Sequence, residues 1–411
     1  MGRAIGPNRA AATQGEAPER SRWTILAIAT AAQAASGYVF LGIAALAGFV
    51  QEDLGLTGAQ TGLIVTAAGL APLFALVPVG RMLDLHGEAR VVTAGGLWLA
   101  LGAVAAALAP GYGWLLLALF VGGTGYSTSQ PGGSKAVAGW FGEERRGLAL
   151  GIRQSGLPIG GALAAATLPY VALHWGWRPA MVVAGAVGSA GSIAFALVYR
   201  NPAGTSEPSG YGLGSELRRL LAYPPLRPAL LAGFVMVGTQ FTLLSYLIPY
   251  SRRDLGVGAA TAALALAAVQ TSGVAGRVLL SAWSDRLGPP RRMIAVGVSA
   301  LVATIGVVVL ATFPSRPGAA LLVGVAVALG FFAFGWYGPW VVHITELAPR
   351  SSVGLTLTFA MTANQLGIVA APPIFGLVVD ATSSYATAWL ALGAALALTS
   401  AVTLISSITR R

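Results

Sequence analysis

The sequence has no cysteine, few histidines and little charge. Its 411 residues include three histidines, and 9% are charged, whereas about a quarter of the residues in soluble proteins are charged. Disulfides and thiolate zinc sites are therefore excluded, and three scattered histidines offer no metal cluster. No glycine-rich phosphate loop ending in Lys-Ser or Lys-Thr occurs, so ATP is not an expected ligand. The sequence predicts no metal, no cofactor and no enzymatic activity.

Long apolar runs are what the sequence has instead. Hydrophobic residues make up 55% of the chain and the mean hydropathy is +0.73. Twelve windows are long enough to cross a bilayer. The windows are 23–50, 58–84, 90–109, 113–139, 147–172, 178–199, 228–251, 259–284, 292–312, 318–343, 352–378 and 385–407. They predict an all-α membrane protein with twelve transmembrane helices in two bundles of six.

The arginines indicate how these helices are oriented. If the N-terminus is cytoplasmic, eighteen basic residues fall in inside loops and tails and four fall in outside loops. Such an asymmetry predicts that both termini lie in the cytoplasm. It also explains the net charge of +11, so nucleic acid is not an expected partner. We expect a monomeric, multi-pass protein of the plasma or inner membrane.

A polar stretch in the middle of the chain separates two apolar halves. We predict a disordered cytoplasmic N-terminus, an N-terminal six-helix bundle, a cytoplasmic linker and a C-terminal six-helix bundle. Their boundaries are 1–22, 23–199, 200–227 and 228–411.

The two halves resemble each other in sequence. Asp84 and Asp285 each precede a glycine and a basic cluster at the end of an even-numbered helix. Gly147 at the start of the fifth span likewise parallels Gly354 at the start of the eleventh. Parallel repeats of this kind build transporters whose substrate site lies between the halves near the midplane.

These motifs give the chain a resemblance to the major facilitator superfamily over essentially its whole length. The family signature G-x-x-x-D-R-x-G-R is matched by Gly80, Asp84 and Gly87, and a second time by Asp285, Arg286 and Gly288. Leu85 replaces the arginine of the first copy, and Ser281 replaces the first glycine of the second. In the family this loop helps to hold the outward-open state. The resemblance therefore implies gating by Asp84, Asp285 and Arg286; an ordinary capping acid is the alternative.

Arg277 is a charged residue inside a predicted span. It precedes Asp285 by eight residues, which places it about 12 Å inside the helix end. An intramembrane charge usually faces a cavity and marks a substrate path; snorkelling to the interface and pairing with an acid are the alternatives. Its register is similar to that of the carboxylate-binding arginine of monocarboxylate transporters and oxalate:formate antiporters. Gly273 stands where the eukaryotic carriers often have aspartate.

Arg153 is the second candidate, in the predicted fifth span. It lies about six residues, or about 9 Å, from the cytoplasmic end, and it belongs to the other half of the protein. Two guanidinium groups facing each other would suit a carboxylate, which they bind in bidentate fashion. Arg153 reaching the cytoplasmic mouth is the alternative.

Polar and aromatic residues of the spans complete the candidate site, each with interhelical packing as its alternative role. The predicted substrate contacts besides the arginines are Tyr126, Gln130, Tyr337, Asn364, Tyr38 and Gln270, with Gln240 and Gln365 ranked lower. All fourteen acidic residues fall at span ends, in loops or in tails. A cationic substrate is therefore disfavoured.

The sequence thus favours a secondary transporter that carries a small organic anion, a mono- or dicarboxylate, by alternating access. Efflux of drugs or metabolites coupled to protons is the alternative, suggested by the run Gly156, Pro158 and Gly160 and by the aromatic tenth span. A membrane sensor or assembly factor is a third hypothesis. The lack of a sizeable extramembrane domain argues against it.

Overall fold

The computed structural model describes residues 19–56, 58–201, 213–314 and 317–409, and within these ranges the chain forms helices and no strand. The helices are α1 Glu19–Leu54, α2 Gly58–His86, α3 Glu88–Ala107, α4 Tyr112–Tyr126, α5 Ser129–Ala138, α6 Arg146–Gln154, α7 Gly156–Trp175, α8 Trp177–Val198, α9 Leu213–Leu221, α10 Arg227–Arg253, α11 Ala259–Leu287, α12 Arg292–Ala311, α13 Ala319–Gly335, α14 Tyr337–Leu347, α15 Val353–Thr382 and α16 Tyr385–Thr409.

Twelve membrane crossings follow from these helices. Among the described residues, eleven helical segments are long and apolar enough to span a bilayer, and the pair α4 and α5 supplies the remaining crossing. Three crossings are interrupted, at Ser127–Thr128, at Ser155 and at Trp336. Irregular backbone at membrane depth is tolerated only inside protein or beside a cavity. The interruptions therefore indicate which crossings lie at the centre of the molecule.

The two halves of the chain pack in the same way. In the N-terminal half (α1–α8), α1 packs on α7, α2 on α4, and α3 on α8. In the C-terminal half (α10–α16), α10 packs on α15, α11 on α13, and α12 on α16. Since these are the same pairs of crossings in each half, the sequence repeat is also a structural repeat. The halves meet where α2 packs on α15 and where α6 packs on α11.

Two parts of the predicted organisation differ in detail. Residues 19–22 of the predicted disordered segment belong to α1, because a helix continues beyond the bilayer without needing apolar residues; residues 1–18 lie outside the described ranges. The predicted linker 200–227 contains α9, and residues 202–212 of it also lie outside those ranges. Helix α9 is held at the protein surface because buried Glu216 pairs with Arg81 of α2 at 3.2 Å.

Candidate functional site

A cavity of about 630 Å³ lies between the two halves. Its lining comes from α1, α2, the α4–α5 break and the α6–α7 break on one side, and from α10, α11, α14 and α15 on the other. Most lining side chains are apolar. The polar lining residues are Thr66, Tyr126, Ser127, Gln130, Gln154, Gln240, Arg277, Tyr337, Asn364 and Gln365. A site shared by both halves can be exposed to either face if the halves rock against each other.

Arg277 of α11 is the only charged side chain among the described lining residues. Its side chain is partly exposed, and its Nη1 donates to the main-chain carbonyl of Gln154, 2.9 Å away. Its Nε has no hydrogen-bond partner, and no acid among the described residues forms an ion pair with it. A guanidinium group that has spare donors and no counter-ion can accept an anion as a ligand.

Arg153 has a different environment from the one predicted for a substrate contact. It is fully buried and does not belong to the cavity lining. Its Nη1 donates to the side chain of Gln33 at 2.8 Å, and its Nη2 donates to Ser134 Oγ at 2.8 Å and to the side-chain oxygen of Gln130 at 3.2 Å. Two further donations go to the main-chain carbonyls of Ser129 and Gln130. Arg153 therefore lies behind the cavity wall and holds Gln130, which is part of that wall.

Four other predicted contacts lie in the lining: Tyr126, Gln130, Tyr337 and Asn364. Tyr126 stacks on Phe40 with ring centroids 4.0 Å apart, which fixes the ring at the wall. Asn364 is 5% exposed and packs over Gly233, where an added Cβ would lie 2.1 Å from its side-chain oxygen. These residues come from α4, α5, α14 and α15, so the structure gathers them from both halves.

Tyr38 and Gln270 lie outside the cavity lining. The Tyr38 hydroxyl and the Thr167 hydroxyl are hydrogen-bonded at 2.7 Å, which joins α1 to α7 within one half. Gln270 is exposed, two turns along α11 from Arg277. Helical periodicity predicts the side of a helix on which a residue lies. It does not predict which residues on that side face the cavity and which contact a neighbouring helix. Both residues were therefore ambiguous from sequence.

Gln154 is a lining residue that the sequence analysis missed. It ends α6, beside the interruption at Ser155, and its carbonyl is the acceptor for Arg277. The available signal was its position four residues before Pro158, because a proline removes the N–H that would otherwise bond to that carbonyl. Gln365, a lower-ranked candidate, lies in the lining and donates to the carbonyl of Gly69 at 2.7 Å across the halves.

The predicted gating residue Asp84 lies at a junction between the halves. Its two carboxylate oxygens accept the main-chain N–H groups of Gly354 and Leu355, each at 2.8 Å. These groups belong to the first turn of α15, where unpaired N–H groups and the helix dipole favour an anion. Lys135 of α5 also pairs with Asp84 at 2.8 Å. An acid of one half thus caps a helix of the other half.

Asp285 makes the symmetric junction. Its oxygens accept the N–H groups of Gly147 and Leu148 in the first turn of α6, again each at 2.8 Å. Arg292 of α12 pairs with Asp285 at 2.6 Å and is itself fully buried. The neighbouring predicted gating residue, Arg286, is exposed. The parallel between Gly147 and Gly354 in the sequence therefore corresponds to two equivalent capped helices.

Both junctions lie on the face at which α1 begins and α16 ends, which we call the terminal face. On this face α2 meets α15 and α6 meets α11. The cavity lining is further from this face: its nearest residues include Gln154 and Arg277, which lie 8 and 10 residues from the ends of α6 and α11, corresponding to about 12–15 Å of helix. The protein is therefore closed at the terminal face, with the cavity above the closure.

Comparison with known proteins identifies the family. The sequence profile described as Major Facilitator Superfamily matches residues 26–372. The chain belongs to this superfamily. Its relatives include monocarboxylate transporter 13 of Bos taurus, 26% identical over 77% of this chain and 73% of the relative. They also include the probable sulfoacetate transporter SauU of Cupriavidus necator, 24% identical over 86% of each.

The solved structures agree on the fold. A crystal structure of the Escherichia coli fucose:proton symporter FucP superimposes with a TM-score of 0.76 over 95% of this chain and 100% of that one, at 22% identity. The predicted twelve-helix major facilitator fold is confirmed. As a superfamily member with a cavity between two repeated halves, the protein is a multi-pass secondary transporter that works by alternating access on a small-molecule substrate.

Proposed function

We propose that this transporter carries a small organic anion, a mono- or dicarboxylate, which binds to Arg277 in the central cavity. The observation that carries this proposal is a partly exposed guanidinium group with a single hydrogen bond and no acidic partner among the described residues. Moving such a charge away from water is costly unless an anion or a set of oxygen acceptors compensates it. An anionic substrate supplies that compensation.

The surroundings of Arg277 favour the same class of substrate. No acid occurs among the described lining residues, so a cation would meet a positive potential without a partner. The buried charge of Arg153 adds to that potential, and its hydrogen bonds orient Gln130 toward the wall. Several relatives are named for anions, among them a monocarboxylate transporter, a probable sulfoacetate transporter and a probable galactarate/D-glucarate transporter.

For the orientation in the membrane, we propose that the terminal face is cytoplasmic. By sequence, the loops and tails on that side hold eighteen of the 25 basic residues of the chain, as the positive-inside rule requires. In this orientation the protein is closed toward the cytoplasm, and Asp84 and Asp285 hold it closed. The membrane would be the plasma or inner membrane.

Efflux of amphipathic compounds is the second candidate function. Its support is the mainly apolar lining, which includes Phe40, Phe241 and Tyr337. An apolar wall would accommodate a hydrophobic compound without any need for Arg277. The two candidates therefore differ in whether binding depends on that arginine.

A thermal-shift screen of the purified protein tests the proposal, since a ligand that binds the folded state raises its apparent stability. The panel is lactate, pyruvate, succinate and glucarate, with nitrate and glucose 6-phosphate as other anions and ethidium as an amphipathic cation. We expect a carboxylate to stabilise the wild-type protein and to have no effect on Arg277→Ala. Stabilisation by ethidium alone, or a carboxylate effect that survives in Arg277→Ala, would contradict the proposal.

A further inference from the structure

We infer that the bond between Arg277 and the Gln154 carbonyl is a substrate-sensitive tie between the two halves, and that it makes the carrier an exchanger. In the empty protein the tie opposes separation of the halves at the terminal face. A bound anion takes the donors of Arg277 that are free and remains its partner when the Gln154 carbonyl is lost, so the loaded carrier crosses and the empty one does not. This inference rests on the proposed function, because it requires an anion at Arg277.

The acceptor of the tie is created by a proline. In an α-helix the carbonyl of residue 154 would accept the N–H of residue 158. Residue 158 is proline, which has no N–H. The chain is also interrupted at Ser155, between α6 and α7. The Gln154 carbonyl therefore lacks its helical donor and faces the cavity lining, where Arg277 Nη1 supplies a donor at 2.9 Å.

The tie joins the halves at a place where they must separate when the terminal face opens. Gln154 belongs to the N-terminal half and Arg277 to the C-terminal half. They lie where α6 packs closely on α11: a Cβ added to Gly151 would lie 2.4 Å from the Arg277 carbonyl oxygen. Opening the terminal face separates these two helices. The bond between Arg277 and Gln154 cannot survive that movement.

The junctions at Asp84 and Asp285 differ from the tie because each acid also has a charged partner within its own half. When the halves separate, Asp84 keeps Lys135 of its own half at 2.8 Å, and Asp285 keeps Arg292 of its own half. Both acids thus retain a charged partner.

Arg277 has no such partner within its own half. Its single hydrogen bond goes to the opposite half, and no described acid pairs with it. Separation therefore leaves the guanidinium without a protein acceptor. The acceptor is lost as α6 and α11 begin to separate, before water can enter from the terminal face, so the guanidinium group is least hydrated at that point. A carboxylate bound at Arg277 moves with the C-terminal half and keeps the guanidinium paired throughout.

Flux measurements in proteoliposomes test the inference. The probe is whichever of radiolabelled lactate, pyruvate, succinate or glucarate stabilises the wild-type protein most. We expect exchange against the same unlabelled anion to exceed net efflux into anion-free buffer by at least about tenfold, which corresponds to about 1.4 kcal/mol. A hydrogen bond to a charged group is of that size.

The decisive variant is Pro158→Ala, which restores an N–H for the Gln154 carbonyl and so weakens the tie. Net efflux should rise about tenfold while exchange stays near the wild-type rate, because Arg277 still binds the anion. Pro169→Ala, also in α7 but remote from Arg277, is the matched control and should leave the ratio unchanged. Equal net and exchange rates in the wild type, or no change in Pro158→Ala, would overturn the inference.

A distance measurement covers the case in which Pro158→Ala does not fold. Spin labels on Glu144→Cys and Arg291→Cys, in a chain without native cysteine, report on the terminal face, where Arg292 Nη2 donates to the Glu143 carbonyl at 2.7 Å. We expect a single short distance in the empty wild type and an added longer one with the anion. A long distance in the empty wild type would overturn the inference. If no panel anion binds at all, the proposed function itself fails.

Discussion

Arg153 and Arg277 are two arginines at similar depth in the two halves, and their surroundings are opposite. Arg153 is fully buried and donates five hydrogen bonds to oxygens of its own half. Arg277 is partly exposed and donates one, to the other half. The Nε of each lacks a hydrogen-bond partner, but the fold supplies acceptors to both terminal nitrogens of Arg153 and to only one of those of Arg277. We therefore take the arginine whose terminal donors are left free as the ligand site.

The largest difference between the two arginines should appear in the free energy of unfolding when each is replaced by alanine. Arg153→Ala removes the donors for Gln33 and Ser134 in a fully buried place, and we expect it to lower the free energy of unfolding by about 3 kcal/mol. Arg277→Ala, which breaks one bond at a cavity wall, should lower it by about 1.5 kcal/mol. Thermal unfolding of both variants without ligand checks this. Equal losses would mean that Arg277 also has a structural role.

Two glycines allow each arginine to be disturbed without mutating it. A Cβ on Gly133 would lie 2.4 Å from Arg153 Nη1, and a Cβ on Gly151 would lie 2.4 Å from the Arg277 carbonyl. Gly133→Ala should reduce stability by about 1–3 kcal/mol and leave the terminal face closed.

Gly151→Ala should loosen the terminal face, because the added Cβ pushes α11 away from α6 and stretches the bond between Arg277 and Gln154. We expect spin-label distances across the terminal face to lengthen in Gly151→Ala and to stay unchanged in Gly133→Ala. Gly48→Ala is the control, since nothing lies within 4 Å of a Cβ there. Identical distance distributions in the two variants would contradict the assignment of the tie to α6 and α11.

A smaller effect is expected at Gln130, the wall residue that Arg153 holds. Gln130→Ala leaves Arg277 intact, so the affinity for a carboxylate should fall by about three- to tenfold, the equivalent of about 0.7–1.4 kcal/mol. Equilibrium binding to the purified variant measures this. A loss as large as that in Arg277→Ala would place Gln130, rather than the arginine, at the centre of the site.

The smallest effects are expected for Tyr38→Phe and Gln270→Ala. Both residues lie outside the cavity lining, so anion affinity should stay within about twofold of wild type. The same binding assay applies. A loss of tenfold or more in either variant would show that the anion site includes residues outside this lining.

The sequence was sufficient for the fold and for the equivalent positions of Asp84 and Asp285. It did not indicate their ion-pair partners Lys135 and Arg292. Twelve apolar windows predict twelve crossings because the bilayer fixes their length, and the paired motifs at Asp84 and Asp285 predict equivalent positions because they are repeats. Arg277 was recognisable because a charge is rare inside a span.

The environment of Arg153 was not predictable in the same way. Its partner Gln33 lies 120 residues earlier in the chain, and a polar residue in one helix does not reveal which neighbouring helix it faces. The acceptor of Arg277 was hidden for another reason. It is a main-chain carbonyl, and only the proline four residues later marks it as free.

The central claim is that the partly exposed guanidinium group of Arg277 binds the substrate anion. The most direct test is the affinity of the best-stabilising carboxylate for wild type, Arg277→Lys and Arg277→Ala, measured by titration calorimetry at fixed ionic strength. Lysine keeps the charge but loses the bidentate fork, so we predict an intermediate affinity for Arg277→Lys and a loss of about a hundredfold or more for Arg277→Ala. Equal affinities in all three proteins would contradict the claim.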